Sequence, residues 1–238
     1  MLDVHPPHHA AHSWRDFFIH IATIVVGLLI AVGLEQTVEA LHHRHQAAEL
    51  REALHTESEQ ITRDSEITDN GTKIELIWVR DRIKQVQATV WEHQRLSEPP
   101  VLKSADFDFP DDPIWRSAKT AGLSELLHQD ELNAYSEVEL VMAHVQATYD
   151  EWRLVQRRRI EFEREFPLLP DGMSNFSPAS PQDMRTYLGL LTAESEVCLK
   201  FDQWNRAAMG VESSIHKGHL RLPEIFDSER LFFKDDPS

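Results

Sequence analysis

The chain has 238 residues, 41% of them hydrophobic, and sets 24 Lys and Arg against 40 Asp and Glu for a formal net charge of −16. That length allows one sizeable core or two small ones, while the acidic balance repels phosphate backbones and anionic headgroups and so disfavours nucleic acid and lateral membrane-surface binding. Cys198 is the sole cysteine; no disulfide can form within the chain, and cysteine usage does not report the redox compartment.

Residues 1–16 form a short polar tail. Phe17 to Leu34, FFIHIATIVVGLLIAVGL, is the one apolar run long enough to cross a bilayer. At ~1.5 Å per helical residue it extends about 27 Å, close to the roughly 30 Å of hydrocarbon in a membrane. Lipid offers no water to backbone N–H and C=O groups, so such a span is helical, and Gly27 and Gly33 are tolerated in it. A cleaved signal is the competing reading, with Ala31-Val32-Gly33 as the cleavage site. The run exceeds the roughly 7–15 residues of a signal core, and only Arg15 precedes it. A retained anchor is therefore expected, with Trp14 at the interface and Glu35, Gln36 and Glu39 restoring polarity. Subtracting Arg15, Asp3 and Asp16 leaves 23 basic and 38 acidic side chains on residues 35–238, a difference of −15.

Two features of the span bear on more than anchoring. Thr23, Gly27 and Ala31 recur at four-residue spacing and place small side chains on one face, where a second helix can approach closely. A transmembrane homodimer is one reading of that stripe and ordinary composition is the other. His20 lies near the helix end, where a neutral imidazole at the headgroup boundary explains it better than a functional charge at depth. Lys and Arg near the span are few, and the balance leans towards an N-terminus inside, with the large C-terminal domain across the membrane.

Helical spacing recurs in four places after the span, and strand alternation does not. Glu35 to Arg63 contains neither Gly nor Pro and continues the first helix, with Ala47, Leu50, Leu54 and Ile61 on a stripe. Asp69-Asn70-Gly71-Thr72 reads as a turn. A second helix, about Thr72 to Arg95, carries Leu76, Val79, Ile83, Val86 and Val90 in a narrow seam. Ser97 to Pro113 is a Pro-rich acidic loop, and Ile114 to His128 gives short helices interrupted near Gly122. Glu131 to Phe166 is a long helix whose Arg157-Arg158-Arg159 run and following glutamates read as a solvated face. After the Pro/Gly/Ser-rich 167–181 connection, a last helix runs from about Gln182 to His216, its heptad-like spacing broken by Glu194. The expected architecture is mainly α: one transmembrane helix continuing into an antiparallel bundle of about four long helices (residues 35–217), then an extended tail (218–238).

No constellation specifies chemistry. The histidine groups His5, His8, His9, His12 and His42, His43, His45 flank the span on opposite sides and read as polar flanking sequence rather than a dedicated metal site. Glu-x-x-His occurs at Glu39/His42, Glu52/His55 and Glu125/His128. Two such motifs on separate helices are needed for a di-metal carboxylate centre, and two of these fall on one helix. Nucleophile elbow, P-loop, dinucleotide and zincin motifs are absent from the sequence, and Cys198 reads as a small buried hydrophobe. No catalytic residue, cofactor or metal is assigned.

TIVVGLLIAVGLEQTVEALHHRHQAAELREAL, Thr23 to Leu54, resembles the start of a group of uncharacterised bacterial single-pass membrane proteins, in which a G-x-L-I-A-x-G-x-E-Q span is followed at once by a polar helix. IWRSAKTAGLSELL, Ile114 to Leu127, is similar through Trp115, Ala118 and Gly122 to a W-x-x-A-x-x-x-G-x-L segment of the same group. The resemblance implies an inner-membrane protein and brings no activity; for Trp115, Ala118 and Gly122 it leaves open packing into the bundle or contact with a partner. The leading expectation is a non-enzymatic, membrane-anchored interaction or scaffold domain, held to lipid through residues 17–34 and docking a membrane or extracytoplasmic protein or itself. An extracytoplasmic ligand-sensing bundle signalling through a partner is the alternative, and a di-metal membrane enzyme comes third.

Overall fold

The computed structural model describes residues 14–92, 107–169 and 174–221. Among these the chain is mainly α, with α1 Trp14–Glu92, α2 Pro113–Thr120, α3 Gln129–Glu163 and α4 Pro181–His216, plus a 3₁₀ turn at Leu123–Leu126. The histidines of the N-terminal tail, most of the 97–113 loop and the tail beyond 221 lie outside the described residues. Two compact units divide the chain between residues 49 and 50, and α1 contributes to both.

In the first unit every described residue from 14 to 45 is exposed. An apolar run this long, covered by nothing among the described residues, is the reverse of the helix of a water-soluble bundle, which turns its apolar stripe inward and its polar face outward. It is the one helix among the described residues long and apolar enough to cross a membrane.

The second unit is a helical bundle. Its three long members are α3, α4 and the part of α1 after residue 49. Cross-helix pairs fix their directions. Arg51 meets Glu131 and Trp78 meets Arg159, so α1 and α3 run the same way; Thr72 meets Asp202 and Arg82 meets Tyr187, so α4 runs against α1. Between α3 and α4, Lys200 reaches Glu151 and Tyr187 reaches Glu163, again antiparallel. The main core lies between α3 and α4, where Ala134, Val138, Val141, Val145 and Trp152 face Cys198, Phe201, Ala208 and Val211. Phe107 and Phe109 close one side, packing on Trp152 and Tyr149 at ring separations of 5.1 and 4.7 Å.

The turn expected at Asp69–Thr72 does not form, and the first two expected helices are one. Glycine inside a helix costs about 1 kcal/mol relative to alanine, and here tertiary contacts outweigh it. Thr72 Oγ1 donates to Asp202 Oδ1 at 2.8 Å, Asp69 pairs with Lys73 and with Arg206, and Gly71 is itself buried. The last helix starts at Pro181, one residue before the expected Gln182, because a capping box sets it: the Ser180 amide donates to Asp183 Oδ2 at 2.7 Å, the Asp183 amide donates to Ser180 Oγ at 3.2 Å, and Pro181 takes the first helical position.

Candidate functional site

Three places bear on function: the small-residue face of the apolar segment, the seat of α2, and the polar seam of the bundle. On the first, the Thr23 hydroxyl turns back to donate to the Ile19 carbonyl at 2.8 Å, removing its polarity from the surface. A Cβ added at Gly27 meets nothing within 4 Å. Thr23, Gly27 and Ala31 therefore form an open strip, uncovered by the rest of the described chain.

The second site is built around Glu57 of α1. Its carboxylate accepts the backbone amides of Ile114 at 2.5 Å and Trp115 at 3.1 Å, so an anion sits where the first turn of α2 presents free N–H groups. Trp115 is 1% exposed; its indole donates to Glu139 Oε2 at 3.0 Å and its ring packs 5.5 Å from that of Tyr135. Ala118 is buried in the same cluster with Leu50, Leu54 and Leu127. Gly122 is exposed and holds φ 75°, the left-handed conformation that lets the chain leave α2. Thus Trp115 and Ala118 face inward, and Gly122 shapes the turn.

The third feature is a buried face made of polar rather than apolar side chains. Along α1, Glu57, Ser58, Ser65, Thr68, Thr72, Glu75 and Arg82 are all buried, at the helical spacing an apolar seam would have. Several meet polar groups of α4: Ser58 donates to Glu212, the Asn205 amide donates to the Ser65 carbonyl at 2.8 Å, and Arg82 donates to the Tyr187 hydroxyl at 3.3 Å, while Glu57 meets α2 and Thr68 donates to the Asp108 carbonyl at 2.6 Å. Arg159 of α3 completes the seam. It forks onto Glu194 through Nε and Nη2, donates to Glu163 Oε1 at 2.8 Å, and lies 4.7 Å over the Trp78 ring. Arg159 is 5% exposed, which corrects the reading of residues 157–159 as a wholly solvated face. The residue that broke the heptad pattern, Glu194, is the buried partner of that arginine.

Among the described residues six acids (Glu57, Glu75, Asp112, Glu194, Asp202, Glu212) and two arginines (Arg82, Arg159) are buried. Taking carboxyl groups out of water drives them towards the neutral form, and neighbouring acids add to this at most of them. Burial raises Glu194 to about 7, Arg159 opposing and Glu75 assisting; burial likewise raises Glu212 to about 7, with Ser58 opposing. Glu57, Glu75, Asp112 and Asp202 are raised for the same first reason. Burial pulls Arg159 down, but Glu194 and Glu163 more than offset it, and the guanidinium stays charged. At the edges the signs reverse: hydrogen bonds from Arg51 hold Glu131 low, and Lys119 does the same for Glu139.

Of the interior carboxylates, Glu194 is paired with Arg159, whereas Glu212 takes a hydroxyl from Ser58 and Glu57 takes the backbone amides of α2. The Glu-x-x-His residues point elsewhere, since Glu39, His42, Glu52, His55, Glu125 and His128 are all exposed. Cys198 is buried, and burial raises its thiol pKa, away from nucleophilic use. Among the described residues, one grouping of metal-binding types occurs at the surface, where His55, Glu59 and His216 come together. No family model, curated protein or solved structure matches this chain. What the fold defines is a class: a helical bundle joined in one chain to a helix able to cross a membrane.

Proposed function

We propose that this protein is a non-enzymatic interaction module of the bacterial inner membrane, anchored once through residues 17–34, with its acidic bundle on the periplasmic side. Its partner in the bilayer is a second copy, met along Thr23, Gly27 and Ala31. The observation that carries the reading is the apolar segment, exposed on every side among the described residues, alongside a bundle whose helices are joined by buried polar pairs. An apolar surface of that length needs lipid or another helix. The bundle's pairs, Arg159 with Glu194 and Ser58 with Glu212, hold helices together rather than face a substrate.

Crosslinking in native membranes tests the self-association. The wild-type chain is expected to give a dimer, and Gly27→Leu, which puts a branched side chain on the open strip, to lower its yield about tenfold. An unchanged dimer in the Gly27→Leu chain removes the stripe as the interface.

A further inference from the structure

One surface cluster stands apart from both the span and the buried seam. His55 and Glu59 lie one turn apart on α1, and His216 ends α4. The antiparallel register that sets Ser58 against Glu212 brings His216 up to His55, their rings 4.9 Å apart. A ligand atom from each of the three residues lies within 4.8 Å of the other two, and His55 Nδ1 is 3.8 Å from Glu59 Oε1. Donors of a zinc ion bound at about 2.0–2.1 Å stand roughly 3.3 Å from one another in a tetrahedron. Small rotamer adjustments of exposed side chains cover that difference. Arg63, exposed, stands 3.8 Å from Glu59, and so loose a surface pair is easily displaced.

We propose that His55, Glu59 and His216 bind a divalent transition-metal ion, zinc being the type case, which clips α1 to α4. Two imidazoles and a carboxylate are the donors such ions prefer, and exposure leaves the remaining coordination positions to water. Because the ligands come from two helices, binding favours the packed bundle and not the unfolded chain. That separates this site from His42, His43 and His45, which belong to one helix and bridge nothing within the bundle.

The test is thermal melting of the full-length protein in detergent, metal-free and with about 100 μM zinc, followed by helical circular dichroism. With a dissociation constant near 1 μM, zinc raises Tm by about 5 °C. The gain is expected to persist when His42, His43 and His45 are all changed to Ala, and to vanish in His216→Ala and in Glu59→Gln, whose metal-free Tm stays within about 1 °C of wild type because both positions are exposed. No zinc shift in the wild type, a full shift in His216→Ala, or loss of the shift in the triple His42/His43/His45 variant overturns the site.

Discussion

The two compact units solve opposite solvation problems with opposite arrangements. In residues 17–34 apolar side chains cover the outside and nothing is buried, whereas the described part of the bundle after residue 49 carries six acids and two arginines inside. A chain folded only for water places these the other way round. The first arrangement fits a medium that dissolves hydrocarbon. The second pays stability for a polar seam that admits one register, since sliding α1 along α4 separates Ser58 from Glu212 and Thr72 from Asp202 together.

Arg159 gives the sharpest way to break that contrast. Arg159→Met leaves Glu194 and Glu163 without their buried cation and is expected to destabilise the bundle by about 3–5 kcal/mol, while Arg159→Met with Glu194→Leu recovers most of the loss. Urea unfolding of the three chains measures it. Equal loss in the single and double variants means the pair is not what holds the seam.

A smaller effect comes from pH. Glu194 and Glu212 are raised to about 7 from an ordinary 4.5, so their folded forms bind protons that the unfolded chain releases. Stability from a raised group is full below the unfolded pKa and is lost as pH rises through the folded one. The bundle is therefore expected to be more stable at pH 6 than at pH 8, by roughly 2–3 kcal/mol for the two groups together. The lowered acids Glu131 and Glu139 act in the opposite direction but only below about pH 4.5, outside this window. Melting curves at the two pH values check the sign; a higher Tm at pH 8 contradicts it.

The smallest effect separates a helix from a turn. Asn70 is exposed within α1, so Asn70→Ala is expected to stabilise by about 0.5 kcal/mol, as helix propensity dictates. At a turn the same change removes a favoured residue and destabilises.

These residues also show what periodicity can and cannot read. The apolar helix, the start of the last helix expected near Gln182 and found at Pro181, and the Gly122 break are local signals, and each stands within a residue or so of where the sequence places it. Leu54, Ile61, Val79 and Val86 mark the inner face of α1 correctly. Between them the same face continues through Ser65, Thr68 and Thr72, which a filter for apolar residues passes over, and the gap then looks like the turn that Asn70-Gly71 advertises. Glu194 looked like a break and Arg159 like surface because each makes sense only beside the other, on helices joined by a long connection. His55 and His216 are hidden in the same way: the seam's register, not any spacing along the chain, brings them together.

The central claim is that residues 17–34 sit in lipid in the mature protein. Alkaline carbonate extraction of membranes carrying the full-length chain tests it most directly. The intact polypeptide is expected to stay in the pellet until detergent is added, and to be lost from it when Leu28 and Ile30 are both changed to Arg, a cost of roughly 5–7 kcal/mol at the bilayer centre. Recovery of the intact wild-type chain in the detergent-free supernatant contradicts the account.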